Sequence, residues 1–154
     1  MVANAGLIGA TVNVDFHYPD LATLYCSSGS ATVSAGVEYA SGCSGYSPVS
    51  IDVANSQIVI DSGGFAWAST AFNGLVMSVL SGPAILGLSY NAGLSTMGVT
   101  SYAFDPLSMT FNFSGQAAGM AVFDVATVPE PATLGLLGVG LIGFGMVKRR
   151  KRSA

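Results

Sequence analysis

Residues 7–125 consist of short segments in which apolar and polar side chains alternate, with turn-forming residues between them. In the clearest segment, Thr11–Tyr18, the apolar side chains fall on every second residue, which is the period of a half-buried β-strand. About nine or ten such strands, with turn signals roughly every 8–12 residues, predict an all-β fold, an antiparallel β-sandwich or jelly-roll-like body. The other candidate strands are Leu21–Tyr25, Ala31–Tyr39, Val49–Val53, Gln57–Asp61, Phe65–Phe72, Leu75–Leu80, Ala84–Tyr90, Leu107–Phe113 and Met120–Val125.

The dipeptide Asn73-Gly74 gives the most specific prediction of strand pairing. Asn-Gly suits a type I′ turn, in which both central residues have positive φ. We therefore expect Phe65–Phe72 and Leu75–Leu80 to form a hairpin around it. Further turns are predicted at Ser28-Gly29-Ser30, Ser62-Gly63-Gly64, Ser81-Gly82-Pro83, Asp105-Pro106 and Ser114-Gly115.

Charged side chains are few and are placed unevenly along the chain. They make up 8% of the residues, compared with roughly 25% in ordinary soluble domains. Residues 1–147 carry all eight acidic side chains and no Lys or Arg. Such a body cannot neutralise phosphates, which excludes nucleic acid as a partner. A surface made polar by Gly, Ser, Thr and Asn is typical of secreted or cell-surface β proteins.

The two cysteines, Cys26 and Cys43, allow one disulfide if the body is exported, and two free thiols if it stays in the cytosol. A bond closing a loop of this size stabilises by roughly 3 kcal/mol. The chain has a single histidine and no second pair of thiols, so no zinc site is predicted.

Candidate chemistry in the body is sparse. His17 lies two residues from Asp15 on the predicted outer face of the first strand, where a solvated surface is the simplest interpretation. No catalytic residue, cofactor or metal ligand is predicted, although a calcium site built from the scattered acidic residues is an open alternative. Four aromatic residues, Trp67, Tyr46, Tyr90 and Tyr102, either stack on sugar rings or pack in the core.

The C-terminal end has three consecutive parts. The motif Pro129-Glu130-Pro131 is followed by an apolar segment at residues 132–147 and then by a basic run. As a helix, the apolar segment would extend about 24 Å, short of a hydrocarbon core of about 30 Å. It contains several glycines, which weaken a helix, so we expect a transmembrane helix that serves as a temporary anchor. The basic stop fixes the C-terminus in the cytoplasm and consists of Lys148, Arg149, Arg150, Lys151 and Arg152.

In residues, order and spacing, this tail resembles the PEP-CTERM sorting signal of Gram-negative bacteria. The resemblance implies that an exosortase, a membrane protease and transpeptidase, recognises Pro129-Glu130-Pro131 after export. It also implies a host that produces exopolysaccharide and forms biofilms. The body resembles, more weakly, the small uncharacterised exported β proteins that carry this tail.

At the other end, Ala3-Asn4-Ala5 has the A-x-A form of a signal-peptidase site. We expect residues 1–5 to be the remnant of a signal-peptide cleavage region, 6–127 the exported domain and 128–154 the sorting signal. The expected route leads to the inner membrane and then to the cell surface or extracellular matrix. The expected function is a non-enzymatic structural role. The alternatives are an exopolysaccharide-binding module and, more remotely, an envelope hydrolase.

Overall fold

The computed structural model describes residues 6–45 and 47–128, which form ten β-strands and no α-helix. The strands are β1 (Thr11–His17), β2 (Leu24–Thr32), β3 (Val37–Tyr39), β4 (Ser50–Val53), β5 (Gln57–Asp61), β6 (Gly74–Ser81), β7 (Ile85–Tyr90), β8 (Ser101–Asp105), β9 (Ser108–Asn112) and β10 (Met120–Thr127). No helix in this part of the chain is long and apolar enough to span a membrane. The helix predicted at residues 132–147 lies outside the described residues and stays a prediction.

The strands are arranged in two antiparallel sheets of five. The first sheet has the order β2-β1-β6-β9-β8 and the second has the order β3-β4-β5-β10-β7. The chain changes sheet after β2, β5, β6, β7 and β9, so neighbours in sequence are often in different sheets. The predicted all-β, antiparallel body is confirmed.

One hydrophobic core joins the two sheets. Strand β1 turns Val12, Val14 and Phe16 inward, as its alternation predicts. Phe123 of β10 meets Phe111 of β9 across the core, with ring centroids 4.6 Å apart. Since β9 and β10 belong to different sheets, this contact places the sheets face to face. Each fully buried side chain of this size contributes roughly 1.5–3 kcal/mol through removal from water.

Most of the predicted strands are confirmed, and Gln57–Asp61 has the same bounds as β5. The prediction is wrong around β2, where a turn was expected at Ser28-Gly29-Ser30. Val14 pairs with Gly29 and Asp15 with Ser27, so the strand continues through a bulge that leaves Ser28 unpaired. The glycine is needed there because its φ is +78°, a conformation that other residues rarely adopt.

The hairpin predicted at Asn73-Gly74 is also wrong. Residues 62–73 are not a strand, and Gly74 is the first residue of β6, paired with His17 on one side and Asn112 on the other. A Cβ at Gly74 would collide with the carbonyl oxygen of Phe111. The glycine therefore permits close approach of two backbones and does not form a turn.

Strand β8 was not predicted from the sequence. Its residues, Ser101–Asp105, are all exposed, and it pairs only with β9 at the edge of the first sheet. An exposed edge strand carries no burial pattern, because neither of its faces is covered completely. The turn predicted at Asp105-Pro106 is confirmed, and it joins β8 to β9.

The hydroxyl group of Tyr39 links the two sheets at one side of the core. It lies 2.9 Å from the carbonyl oxygen of Val12 and 3.0 Å from that of Gly29, and it can donate to either. Burial raises the pKa of Tyr39 from 10.0 to about 12, because the ionised phenolate would lose its hydration.

This shift predicts a loss of stability in alkali. Below about pH 10 the phenol is protonated in both states, and between about pH 10 and 12 it ionises more readily in the unfolded chain. The free energy of unfolding should therefore fall across that window. Urea unfolding at several pH values measures it. Tyr39→Phe should abolish this part of the loss, and Tyr25→Phe, on an exposed side chain, should leave it unchanged.

Candidate functional site

A cleft of about 250 Å³ opens at one end of the sandwich, where β1 ends and β6 begins. Its walls come from parts of the chain that are distant in sequence. The end of β1 and strand β2 contribute Phe16, His17, Tyr18 and Tyr25. The connection between β3 and β4 contributes Cys43, Ser47 and Val49, and the connection that precedes β6 contributes Phe65, Trp67 and Ala68. The cleft exists because the antiparallel pairing of β1 with both β2 and β6 brings these segments together.

Aromatic side chains form the rim of this cleft. Tyr25 is 69% exposed, Phe65 44% and Tyr18 37%. Tyr18 and Tyr25 meet edge to face, with centroids 6.2 Å apart, and Phe65 meets Trp67 in the same way at 5.6 Å. Edge-to-face contacts of this kind hold the rings at fixed angles. The cleft therefore presents aromatic surface to solvent in a defined geometry.

Trp67 lies below the rim, where it anchors the connection between β5 and β6. Its indole N–H donates to the sulfur of Met97 at 3.2 Å, and its ring packs on Phe113 at 5.0 Å. Its backbone N–H donates to Gln116, and its carbonyl accepts from Gly115. A segment without strand pairing is thus held at several points, which makes one wall of the cleft rigid.

Two polar side chains, His17 and Asn73, also line the cleft. The side-chain N–H of Asn73 donates to the carbonyl of Ala68 at 3.1 Å. Nδ1 of His17 is buried and has no hydrogen-bond partner among the described residues, and its ring meets Phe72 edge to face. The sequence predicted a solvated side chain at His17, and this prediction is wrong for Nδ1, which is buried. A buried imidazole nitrogen without a partner is unusual.

The disulfide lies beside the cleft. Cys26 of β2 and Cys43 of the short 3₁₀ turn at Cys43–Gly45 are bonded, with Cα atoms 5.4 Å apart, which confirms the predicted pairing. Cys43 also lines the cleft. The bond therefore connects the edge strand that carries Tyr25 to the loop beneath it.

The predicted set of sugar-stacking aromatic residues does not form one exposed row. Trp67 is buried. Tyr90 is half-buried and donates its hydroxyl to the carbonyl of Met97. Tyr102 is exposed at its edge but packs on Phe123, at the other side of the sandwich. Tyr46 lies outside the described residues. The aromatic residues that do share a surface are Tyr18, Tyr25 and Phe65, which the sequence reasoning missed.

Several acidic side chains serve as local hydrogen-bond acceptors. Asp20 accepts from the backbone of Ala22 and Thr23, and Asp61 from Gly63. The hydroxyl of Ser108 and the backbone N–H of Leu107 hold the pKa of Asp105 below its usual value. In the described part of the chain no three His, Cys, Asp or Glu side chains come together as a metal site. The calcium alternative stays a prediction.

The described structure ends where the predicted sorting signal begins. Thr127 pairs with Ile85 at the end of β10, and the N–H of Val128 donates to the carbonyl of Ala84 at 2.9 Å. The motif Pro129-Glu130-Pro131 follows without an intervening linker. The motif, the basic stop at 148–152 and the signal-peptidase-like residues Ala3 and Ala5 all lie outside the described residues, so their assigned roles stay predictions.

The fold and its exit point define an all-β domain that passes directly into a C-terminal signal. Residues 127–151 match the PEP-CTERM protein-sorting motif, so the chain carries this sorting signal at its C-terminal end. The resemblance found in the tail is thereby confirmed. The motif marks an exported protein that associates with the membrane at the sorting step and is processed by an exosortase. No curated protein and no solved structure matches the chain.

Proposed function

We propose that this chain is a non-enzymatic protein of the cell surface or extracellular matrix, which an exosortase releases or re-anchors by cutting near Pro129-Glu130-Pro131. The observation that carries the proposal is the position of Val128. Its backbone is still hydrogen-bonded to the sandwich, and all ten described strands precede it. Removal of the tail would therefore leave these strands and their shared core intact.

In the proposed route the tail is a temporary membrane anchor that is later removed. The apolar segment 132–147 holds the exported chain in the inner membrane, with Lys148–Arg152 on the cytoplasmic side. Cleavage then detaches the body and removes all five basic residues. The body keeps its acidic residues, apart from Glu130 if that residue leaves with the tail. The mature surface protein would be strongly acidic and would carry no Lys or Arg.

A substitution in the motif tests the sorting step. The full chain with Pro129→Ala and Glu130→Ala, produced in its native host, should accumulate in the membrane fraction with its tail attached. Pro106→Ala is a matched control, because Pro106 is an exposed proline in the β8–β9 turn. Equal release of the motif variant and the control would contradict the proposal.

A second candidate function, binding of a saccharide, is favoured by the cleft. Sugar rings have apolar faces that pack on aromatic rings and hydroxyl groups that need polar partners. Tyr18, Tyr25 and Phe65 supply the aromatic surface, while Asn73 and His17 supply polar atoms nearby. At about 250 Å³ the cleft is smaller than most ligand pockets. A single unit of a longer exopolysaccharide chain is the ligand that suits it.

Binding of the intact chain to a glycan array tests this candidate. Tyr25→Ala or Phe65→Ala should weaken binding of a recognised glycan by roughly tenfold, as expected for loss of one aromatic contact. Tyr102→Ala is the control, because Tyr102 is exposed to a similar extent as Phe65 but lies outside the cleft. A blank array, or equal losses in all three variants, would favour the purely structural function.

The remote alternative of an envelope hydrolase would need two carboxylates facing across a cleft. Among the described residues that line the cleft there is no Asp or Glu. No reaction is proposed for this chain.

A further inference from the structure

The end of the sandwich opposite the aromatic cleft carries five exposed aliphatic side chains. Leu80 is 61% exposed, Leu86 60%, Leu107 58% and Ile8 56%, and Val128 itself is 38% exposed. We name these five residues the exit patch, because they lie at the end of the sandwich from which the chain leaves the described structure.

Backbone hydrogen bonds bring most of the exit patch together. The N–H of Val128 donates to the carbonyl of Ala84. Ile85, the residue after Ala84, donates its N–H to the carbonyl of Pro106. The carbonyl of Leu107 accepts from Val79, one residue before Leu80. Ile8 lies in the turn that closes at Ala10, whose side chain borders Gly82. Four separate chain segments thus place aliphatic side chains around one strand end.

The length of the tail restricts how far this end can be from a membrane. Only Pro129-Glu130-Pro131 separates Val128 from the apolar segment that begins at residue 132. Four Cα-to-Cα steps extend at most about 14 Å, while the headgroup layer on each side of a bilayer is roughly 6 Å thick. An anchored chain must therefore hold the exit patch within reach of the lipid headgroups.

Apolar contact, and not the pairing of charges with lipid phosphates, is the attraction that this surface offers to a membrane. The body contains no Lys or Arg that could bind lipid phosphates. Asp105 is the carboxylate on the same turn as Leu107, and its oxygens are occupied by the Leu107 N–H and the Ser108 hydroxyl. Burial of the exit patch at the boundary between headgroups and acyl chains is favourable for Leu, Ile and Val side chains.

We infer that the exit patch is a lipid-docking surface. It holds the anchored body upright on the outer face of the inner membrane, with the aromatic cleft pointing away, until the tail is cut. This inference rests on the proposed membrane-anchored step of the sorting route. The seven-residue strand β1 runs between the two ends and spans roughly 24 Å, so the cleft would stay clear of the bilayer.

The test uses the full chain in phosphatidylcholine nanodiscs that contain a fraction of lipid with a spin-labelled headgroup. Because the two native cysteines are bonded, one introduced cysteine can carry a fluorophore. Ser56→Cys places it on an exposed position at the exit-patch end, and Ala22→Cys places it at the cleft end. We expect strong quenching of the label at position 56 and little at position 22.

Paired substitutions then separate docking from mere tethering. The double variant Leu86→Ser and Leu107→Ser should lower the ratio of docked to undocked bodies by roughly tenfold or more, because two leucine side chains no longer bury apolar surface in the membrane. Quenching of the label at position 56 measures this ratio. Leu21→Ser with Leu24→Ser, at the cleft end and exposed to a similar extent, should leave it unchanged. Equal quenching at both positions, or no effect of the first pair, would overturn the inference.

Two further outcomes are distinguishable. A chain that does not co-elute with the nanodiscs would overturn both the anchored step and the docking that depends on it. Co-elution with undocked bodies would overturn docking alone. Energy transfer between two labelled copies that disappears with Leu86→Ser and Leu107→Ser, without lipid quenching, would identify the exit patch as a contact between chains and would also overturn the inference.

Discussion

Replacing Phe123 by Ala should lower the free energy of unfolding by about 3–5 kcal/mol, the range for removing a buried aromatic ring. Phe123 is fully buried on β10. Its ring contacts Phe111 at 4.6 Å, Tyr102 at 5.5 Å and Tyr90 at 5.6 Å. It therefore joins an interior strand of one sheet to two strands of the other, and the close-packed sheets cannot collapse fully into the space it leaves.

Urea unfolding measures this effect, and the fluorescence of Trp67, the single tryptophan, reports it. The control is Phe104→Ala, because Phe104 is 44% exposed at the sheet edge and should lose about 1 kcal/mol or less. A loss at Phe123 no greater than at Phe104 would show that the two sheets do not share the core described above.

Removing the Cys26–Cys43 bond should destabilise the body by about 3 kcal/mol, the value for a loop of roughly 15 residues. The bond closes a loop with a sequence separation of 17. It connects the outermost strand of the first sheet to a turn before β4, next to the hydrogen bond from the Cys43 N–H to the hydroxyl of Ser28. Cys43 also lines the cleft, so any glycan binding should weaken together with stability.

The double variant Cys26→Ala and Cys43→Ala provides the measurement, compared with the parent chain before and after treatment with a reductant. The reductant should destabilise the parent chain to about the level of the double variant and should leave the double variant unchanged. A parent chain that is insensitive to reductant would contradict a stabilising role for the bond.

The fold could be predicted from the sequence wherever a strand has one buried face. The alternation in Thr11–His17 and Gln57–Asp61 reflects a core on one side and solvent on the other. Strand β8 could not be predicted because its five residues are all exposed, and the course of β2 could not because a bulge places glycine inside the strand. The role of Gly74 could not be predicted either, since a glycine needed for close backbone approach has the same sequence signal as a turn glycine.

The candidate site could be predicted only in its tail. The sorting motif is contiguous in sequence, so its residues can be recognised together. The cleft, by contrast, combines Tyr18, Tyr25 and Phe65 from segments that meet only through strand pairing. Alternation also could not show that Trp67 is buried in a segment without strand pairing. The exit patch could not be predicted for the same reason, because its members come from four separate chain segments.

The most direct test of the sorting account is the intact mass of the mature protein isolated from the surface of its native host. If an exosortase removes the tail, the mature chain should end near Pro129-Glu130-Pro131 and lack the apolar segment and Lys148–Arg152. A mature surface form that retains Lys148–Arg152 would contradict it.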